Sequence, residues 1–238
     1  MTLAYPTESN AAHPPRLFPG YRSTIKRSPQ KPLIIMRHTL SELTGPDYGH
    51  ETVRENDGDL TTQHAGEPLG ERIIVHGHVL DEDGRGVPNA LVEIWQANAC
   101  GRYIHVRDQH PAPLDPNFTG AGRAQSDAQG YYRFITIKPG AYPWGNHHNA
   151  WRPAHIHFSL FGTDFTQRMI TQMYFPGDPL FALDPIYQSI TDERARALLV
   201  AAYDHDHSQH DFLLGYRWDI VLTGSHATLM ERPEDRHA

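Results

Sequence analysis

His155-Ile156-His157 is the stretch whose residue types and spacing could do chemistry. It lies within Trp151-Arg152-Pro153-Ala154-His155-Ile156-His157-Phe158-Ser159-Leu160. Ile156, Phe158 and Leu160 alternate with His155, His157 and Ser159, the period-two pattern of a strand with one apolar face. Two imidazoles at i and i+2 project side by side from the other face, and neutral imidazole is the commonest protein metal ligand. Such a pair could supply half of a metal site. With 17 histidines in 238 residues, some His-X-His pairs arise by chance, and His76-Gly77-His78 and His205-Asp206-His207 are two more. Arg152 just before the pair, and Tyr142-Pro143-Trp144 upstream, set His155 and His157 apart.

Two histidines need further donors. The single cysteine, Cys100, excludes a cysteine-based zinc site and an intrachain disulfide framework. Carboxylates near the pair are sparse: Asp164 follows the strand, and Glu93 and Asp115 are on other elements. One of them with the two histidines would make a ferrous facial triad. Tyrosine is the other hard donor. Its free pKa is about 10, so a phenolate at neutral pH requires a strong Lewis acid beside it, which trivalent iron would supply. Among 11 tyrosines, Tyr142 lies in the turn Gly140-Ala141-Tyr142-Pro143-Trp144. Taken alone, it reads first as a buried aromatic beside a turn and second as a ligand.

The elements that must position these residues are strands. Arg72–Leu80 reads as a strand, followed by an Asp-Gly-containing turn at 81–86 and a returning strand at 90–97. Turn residues at 126–130 lead into a strand at 131–137. Then come the histidine strand, 169–175, and 216–222. Strands with turn signals and no alternating helices predict an all-β sandwich or barrel, expected over 73–238. Residues 1–72 read as a long irregular N-terminal arm, broken by prolines at 6, 14, 15, 19, 29 and 32. Its aromatics, Phe18, Tyr21 and Tyr48, suit packing on its own domain or a partner chain. Within it, 33–36 is a short strand candidate and 39–44 a helical turn. One short helix is expected near 192–203, from Asp192 and Glu193 at its start and an apolar stripe through Ala195, Leu198, Leu199, Ala202 and Tyr203. The stretch 98–125 reads as a long loop, and the His/Asp tract 204–211 first as a solvated loop and second as an adventitious metal binder.

A formal net charge of −7 argues against general nucleic-acid or anionic-membrane binding. The longest apolar runs are too short to span a bilayer, and the N-terminus shows no signal-peptide pattern. A cytoplasmic location is expected.

Several separated motifs occur in one order: Trp95-Gln96-Ala97-Asn98 to Gly101-Arg102-Tyr103, Asp115-Pro116-Asn117-Phe118, Gly130-Tyr131-Tyr132-Arg133-Phe134, Ile137-Lys138-Pro139-Gly140 to Tyr142-Pro143, and Trp151 to His157. In this order the chain resembles the intradiol ring-cleavage dioxygenases, from about residue 16 to about 225. The arm segment 19–29 and the entry at Leu69-Gly70-Glu71-Arg72 look like the iron-binding beta chains of the family's two-chain branch, the protocatechuate 3,4-dioxygenases. The resemblance implies a β-sandwich carrying one non-haem Fe(III) per chain, held by Tyr103, Tyr142, His155 and His157 with a solvent-derived fifth ligand. It alone selects Tyr103. It implies that Arg152 is a catalytic arginine and Tyr142 a ligand with a catalytic part. It further implies that Gln172 orients that arginine, that Trp144 and Ile186 wall the pocket, and that Tyr21 lies near the substrate carboxylate. One departure is Gly145, where related beta chains carry arginine. The implied reaction opens protocatechuate with O2 to 3-carboxy-cis,cis-muconate, in aromatic-compound catabolism. The implied partner is a homologous alpha chain, in αβ protomers of a larger symmetric oligomer. Two other readings stand beside it: an enzyme preferring catechol or hydroxyquinol, and a sandwich module whose His-X-His holds zinc or copper.

Overall fold

A computed structural model describes residues 14–32, 53–145, 150–161, 169–224 and 226–229. Among these, strands run at Arg72–Leu80 (β1), Leu91–Trp95 (β2), Ala121–Gln125 (β3), Tyr131–Ile137 (β4), Tyr142–Trp144 (β5), Ala150–Arg152 (β6), His155–Phe161 (β7), Met169–Tyr174 (β8), Ala202–Gln209 (β9), Leu213–Arg217 (β10) and Ile220–Val221 (β11). Short helices lie at Arg22–Arg27 (α1), Pro185–Ser189 (α2) and Glu193–Ala197 (α3), with a 3-10 turn at Pro179–Leu183.

In the first sheet β1 pairs antiparallel with β4 on one side and parallel with β10, then β11, on the other; β9 lies outside β10. The second sheet has the order β3-β2-β7-β8, antiparallel throughout. β5 and β6 form a separate ribbon. The facing sides of the two sheets make the core. Ile73, Val75, Val79 and Phe134 come from the first sheet; Val92, Ile94, Ile156, Phe158, Leu160 and Met173 come from the second. None is more than 2% exposed. Burying each such side chain contributes about 1.5–3 kcal/mol. The histidine strand keeps its expected alternation, so His155 and His157 face away from this core.

The all-β architecture is the one expected, with differences in detail. The helix near 192–203 is a short one. Asp192 caps it by accepting from Arg194 N at 2.8 Å. The chain then pairs with β8, Tyr174 N donating to Leu199 O at 2.8 Å and Ala201 N to Tyr174 O at 2.9 Å. Those pairings, and β10 beyond them, draw 199–209 out of helical geometry. The His/Asp tract is therefore largely strand β9 rather than a loop. The loop 98–125 ends in strand β3, whose alternation is masked by small residues. The strand expected at 216–222 is two, β10 and β11, separated at Trp218-Asp219. The arm contains α1, tied by Thr24 Oγ1, which donates to Tyr21 O at 2.7 Å and accepts from Phe18 N at 3.0 Å. Leu60, also before residue 72, is fully buried in the core. The candidates at 33–36 and 39–44, and Tyr48, lie outside the described residues.

Candidate metal centre

Directly opposed residues of paired strands share a face. On β8, Tyr174 stands opposite His155 and Gln172 opposite His157; on β2, Trp95 stands opposite His157. The Trp95 indole stacks on the His157 ring at 4.8 Å with 2° between planes. His155 is 1% exposed, with Nδ1 2.7 Å from the Pro153 carbonyl oxygen. A carbonyl only accepts, so Nδ1 carries the proton and Nε2 presents its lone pair. Tyr142 Oη donates to that Nε2 at 3.2 Å. Burial first, then the charges of Arg152 and His157, hold the His155 imidazole well below the ordinary histidine value. Burial and Arg152 hold His157 down at about 3. Both rings are neutral at pH 7, the state that ligates metal.

The tyrosines are brought in by two loops in backbone contact. Asn98 Oδ1 accepts from Cys100 N at 2.9 Å and Arg102 N at 3.0 Å, and Asn98 O accepts from Gly101 N and Gly140 N. Gly101 has φ +75°, and a Cβ there would stand 2.1 Å from Ala141 O; at Gly140 a Cβ would stand 2.4 Å from Ala99 O. Only glycine permits this approach. It sets the Tyr103 ring edge-on to Tyr142 at 5.4 Å and 6.3 Å from His157. Asp108 Oδ2 accepts from Tyr103 N at 2.7 Å and holds the loop.

Four rings, two phenols and two imidazoles, thus converge on the outer face of the second sheet. Among the described residues no carboxylate joins the histidine pair within ligand reach. Asp115 is used elsewhere, accepting from Leu69 N and Asn117 N; Asp164 lies outside the described residues. The available donor set favours the tyrosine alternative over the facial triad. Two phenols that lose their protons supply two negative charges, and imidazole suits iron. The donors fit a ferric ion.

Arg152 is 2% exposed and fixed from three sides. Its Nε donates to Asp184 Oδ2 at 3.1 Å, and one terminal nitrogen donates to Gln172 Oε1 at 2.6 Å and Tyr174 Oη at 2.9 Å. Its guanidinium carbon lies 5.8 Å from the Trp144 ring centroid. Gln172, opposite His157 on the paired strand, is an acceptor for that terminal nitrogen. Tyr21 packs edge-on against Trp144 at 4.7 Å and carries the Arg27 guanidinium over its ring at 4.5 Å. Ile186 is half-buried two residues after Asp184, whose Oδ1 caps α2 by accepting from Ile186 N at 3.0 Å. Gly145 is exposed and a Cβ there would meet open space. Sequence reasoning missed Asp184, Tyr174 and Trp95. Asp184-Pro185 signals a helix start, but nothing local shows that the same carboxylate holds an arginine 32 residues away.

Residues 43–224 match the family described as dioxygenase, and residues 5–39 match protocatechuate 3,4-dioxygenase beta subunit N terminal. The chain belongs to the intradiol ring-cleavage dioxygenase family. It is 58% identical over 223 residues to the protocatechuate 3,4-dioxygenase beta chain of Burkholderia cepacia, covering 93% of this chain and 94% of that one. It is also 27% identical over 209 residues to the alpha chain from the same organism, covering 83% and 98%. The structure of catechol 1,2-dioxygenase from Acinetobacter sp. ADP1 inhibited by bound mercury superposes with a TM-score of 0.52 at 28% identity, over 74% of this chain and 61% of that one. This dioxygenase family is iron-dependent. Among the described residues, no helix is long and apolar enough to cross a membrane.

Proposed function

We propose that this chain is the iron-binding beta subunit of a protocatechuate 3,4-dioxygenase, opening the ring of protocatechuate with O2 between its two hydroxyl-bearing carbons to give 3-carboxy-cis,cis-muconate. The observation that carries this reading is the convergence of Tyr103, Tyr142, His155 and His157 in a chain 58% identical to a protocatechuate 3,4-dioxygenase beta chain. These four residues would hold one non-haem ferric ion. Bound there, the ion would supply Lewis acidity that favours the ionised catechol and opens its ring to O2.

The chain's own groups do the rest. Tyr142 Oη donates its proton to His155 Nε2 across 3.2 Å, so this contact must be given up, and the Tyr142 proton lost, when the two groups hold the ion. Arg152 stays charged beside the pocket, held by Asp184, Gln172 and Tyr174, and a fixed cation there stabilises negative charge developing on the ring. Trp144 and Ile186 wall the pocket, and Tyr21 on the arm reaches its rim through Trp144. Tyr21 and the basic residues near it provide for the substrate carboxylate, in place of the arginine that related beta chains carry at position 145. A homologous alpha chain is the proposed partner, in αβ protomers of a symmetric oligomer. The alpha-chain likeness over almost the whole of that relative supports it.

An optical spectrum before and after anaerobic protocatechuate tests the reading. The iron-loaded protein should be purple-red from tyrosinate-to-iron charge transfer, shift on adding protocatechuate, and yield 3-carboxymuconate when O2 is admitted. A colourless, zinc-bearing protein would overturn it, and turnover of catechol alone would move the substrate assignment.

A further inference from the structure

Two His-X-His motifs are left over by the iron site, and the fold brings one histidine from each together. His76 comes from β1 and His207 from β9, on the outer face of the first sheet. That sheet packs against the one carrying His155 and His157, so this is a separate place in the molecule. We propose that His76, Asp204 and His207 form a second metal site, taking one divalent transition-metal ion of the borderline class, such as zinc.

The local backbone is built to make this cluster. In a regular strand, residues 204 and 207 point to opposite faces. The β9–β10 register shifts between Leu213 and Gly215. Across this irregularity Ser208 Oγ donates to Asp204 O at 2.7 Å and accepts from Gly215 N at 2.9 Å. Gly215 leaves the room, since a Cβ there would stand 2.6 Å from Asp204 O. Irregularities of this kind re-aim side chains. Asp204 Oδ1 accepts from Asp206 N at 3.0 Å and His207 N at 3.2 Å, which orients the carboxylate. Its other oxygen, Oδ2, then faces His207 Nδ1 at 3.0 Å and His76 Nε2 at 3.2 Å. The two imidazole rings stack with centroids 4.0 Å apart.

The state of His76 points to a ligand. It is 2% exposed, yet its Nε2 makes no well-aligned hydrogen bond: Asp204 Oδ2, 3.2 Å away, is in ion-pair range but off the N–H direction. Buried polar atoms are nearly always satisfied, and one that is not needs an explanation. A single carboxylate oxygen confronts two imidazole nitrogens, and a cation would engage all three at once. The three donor atoms already lie within 4.8 Å of one another. Two imidazoles and a carboxylate are donors that zinc accepts, with a fourth position left for water. The His207 side chain is 48% exposed, which opens a path for entry and lets that ring adjust. The ion would tie the outer strand β9 to β1 across β10.

The test uses the full chain, free of affinity tag and as purified with its iron, titrated with zinc chloride by calorimetry and analysed for bound metal. We expect one zinc per chain beyond the iron, and a rise in melting temperature with zinc. His207→Ala and Asp204→Asn should each weaken zinc binding by at least about tenfold, a scale on which even supporting residues change metal affinity. Neither should alter iron content or ring cleavage. His210→Ala, on the same tract with its side chain 93% exposed, should bind zinc as the parent does. No zinc binding, binding unchanged in His207→Ala, or equal loss in His210→Ala would each overturn the site; the last would mean diffuse coordination by a histidine-rich strand.

Discussion

At Arg152 a full positive charge is held almost out of water. Burial works against that charge, and Tyr174, Asp184 and Tyr142 outweigh it, holding the guanidinium well above its already high ordinary pKa. A cation so constrained needs no reorganisation when charge develops beside it. Arg152→Ser should therefore still bind protocatechuate, seen as the normal anaerobic colour shift, while turnover falls at least about a hundredfold. Unchanged turnover would reduce Arg152 to a structural residue. The proposed ligands make a second expectation. Tyr103→Phe removes one phenolate, so iron should be retained while the visible band shifts and turnover slows. His157→Ala should lose most of the iron. Metal analysis and a visible spectrum on each variant decide this, and wild-type colour and iron in both would sink the ligand assignment.

At the scale of elements, two loops matter more than either strand they follow. Gly101 and Gly140 let the 98–103 and 140–142 segments touch backbone to backbone, and that contact sets the two tyrosine rings against each other. Gly101→Ala places a methyl on Ala141 O in a backbone conformation that disfavours it. The expected cost is about 1–3 kcal/mol, read as a lower melting temperature, with weaker iron retention than a surface Gly→Ala control such as Gly145→Ala. The join between β10 and β11 supplies a pH prediction. Asp219 accepts from His78 N at 2.9 Å and Arg217 at 2.8 Å. Burial pushes its pKa up, but the bonds from Arg217 and His78 and their charges prevail, leaving it below the usual value. A depressed carboxylate contributes stability above its unfolded pKa of about 3.9, and loses it as pH falls through the lower folded value. Asp219→Ala should cost about 1–3 kcal/mol at neutral pH, and the gap from wild type should close once the pH is taken well below 4 in denaturant titrations.

For the whole molecule, the arm ties the catalytic reading to assembly. Tyr21 packs on Trp144, and Gly20 lies against Phe18 and near Pro185 at the start of α2. A long extended segment with little core of its own still loses conformational entropy when it orders, and contacts must offset that loss. The site supplies some of them, and the proposed alpha chain would supply more. Expressed alone, this chain should be poorly soluble or weak in iron. Co-expressed with an alpha chain, it should give a coloured, active and much larger particle by light scattering, as closed symmetric assemblies do. A fully active, stable monomer would contradict the partnership.

What the sequence by itself determined was the part governed by local periodicity. The alternation through 155–160 separates the core from the outer face, and the strands at 72–80 and 131–137 have the bounds the residues suggested. Turn residues and the lack of alternating helices were enough for an all-β chain. Tyr103 was a different matter: no local pattern marks it, and only the family's motif order picked it out. Tertiary structure decided what depends on residues distant in the chain. The stripe at 192–203 looked helical because Ala195 and Leu199 do bury against Tyr174, but backbone pairing to β8 takes the chain into strand. Asp184 reads locally as a cap, and only the fold makes it the counterion of Arg152. His76 and His207 lie in unrelated motifs, and the register shift beside β10 alone puts them around one carboxylate. Periodicity records which face a residue takes; which residue meets it there is set by strand pairing and backbone irregularity.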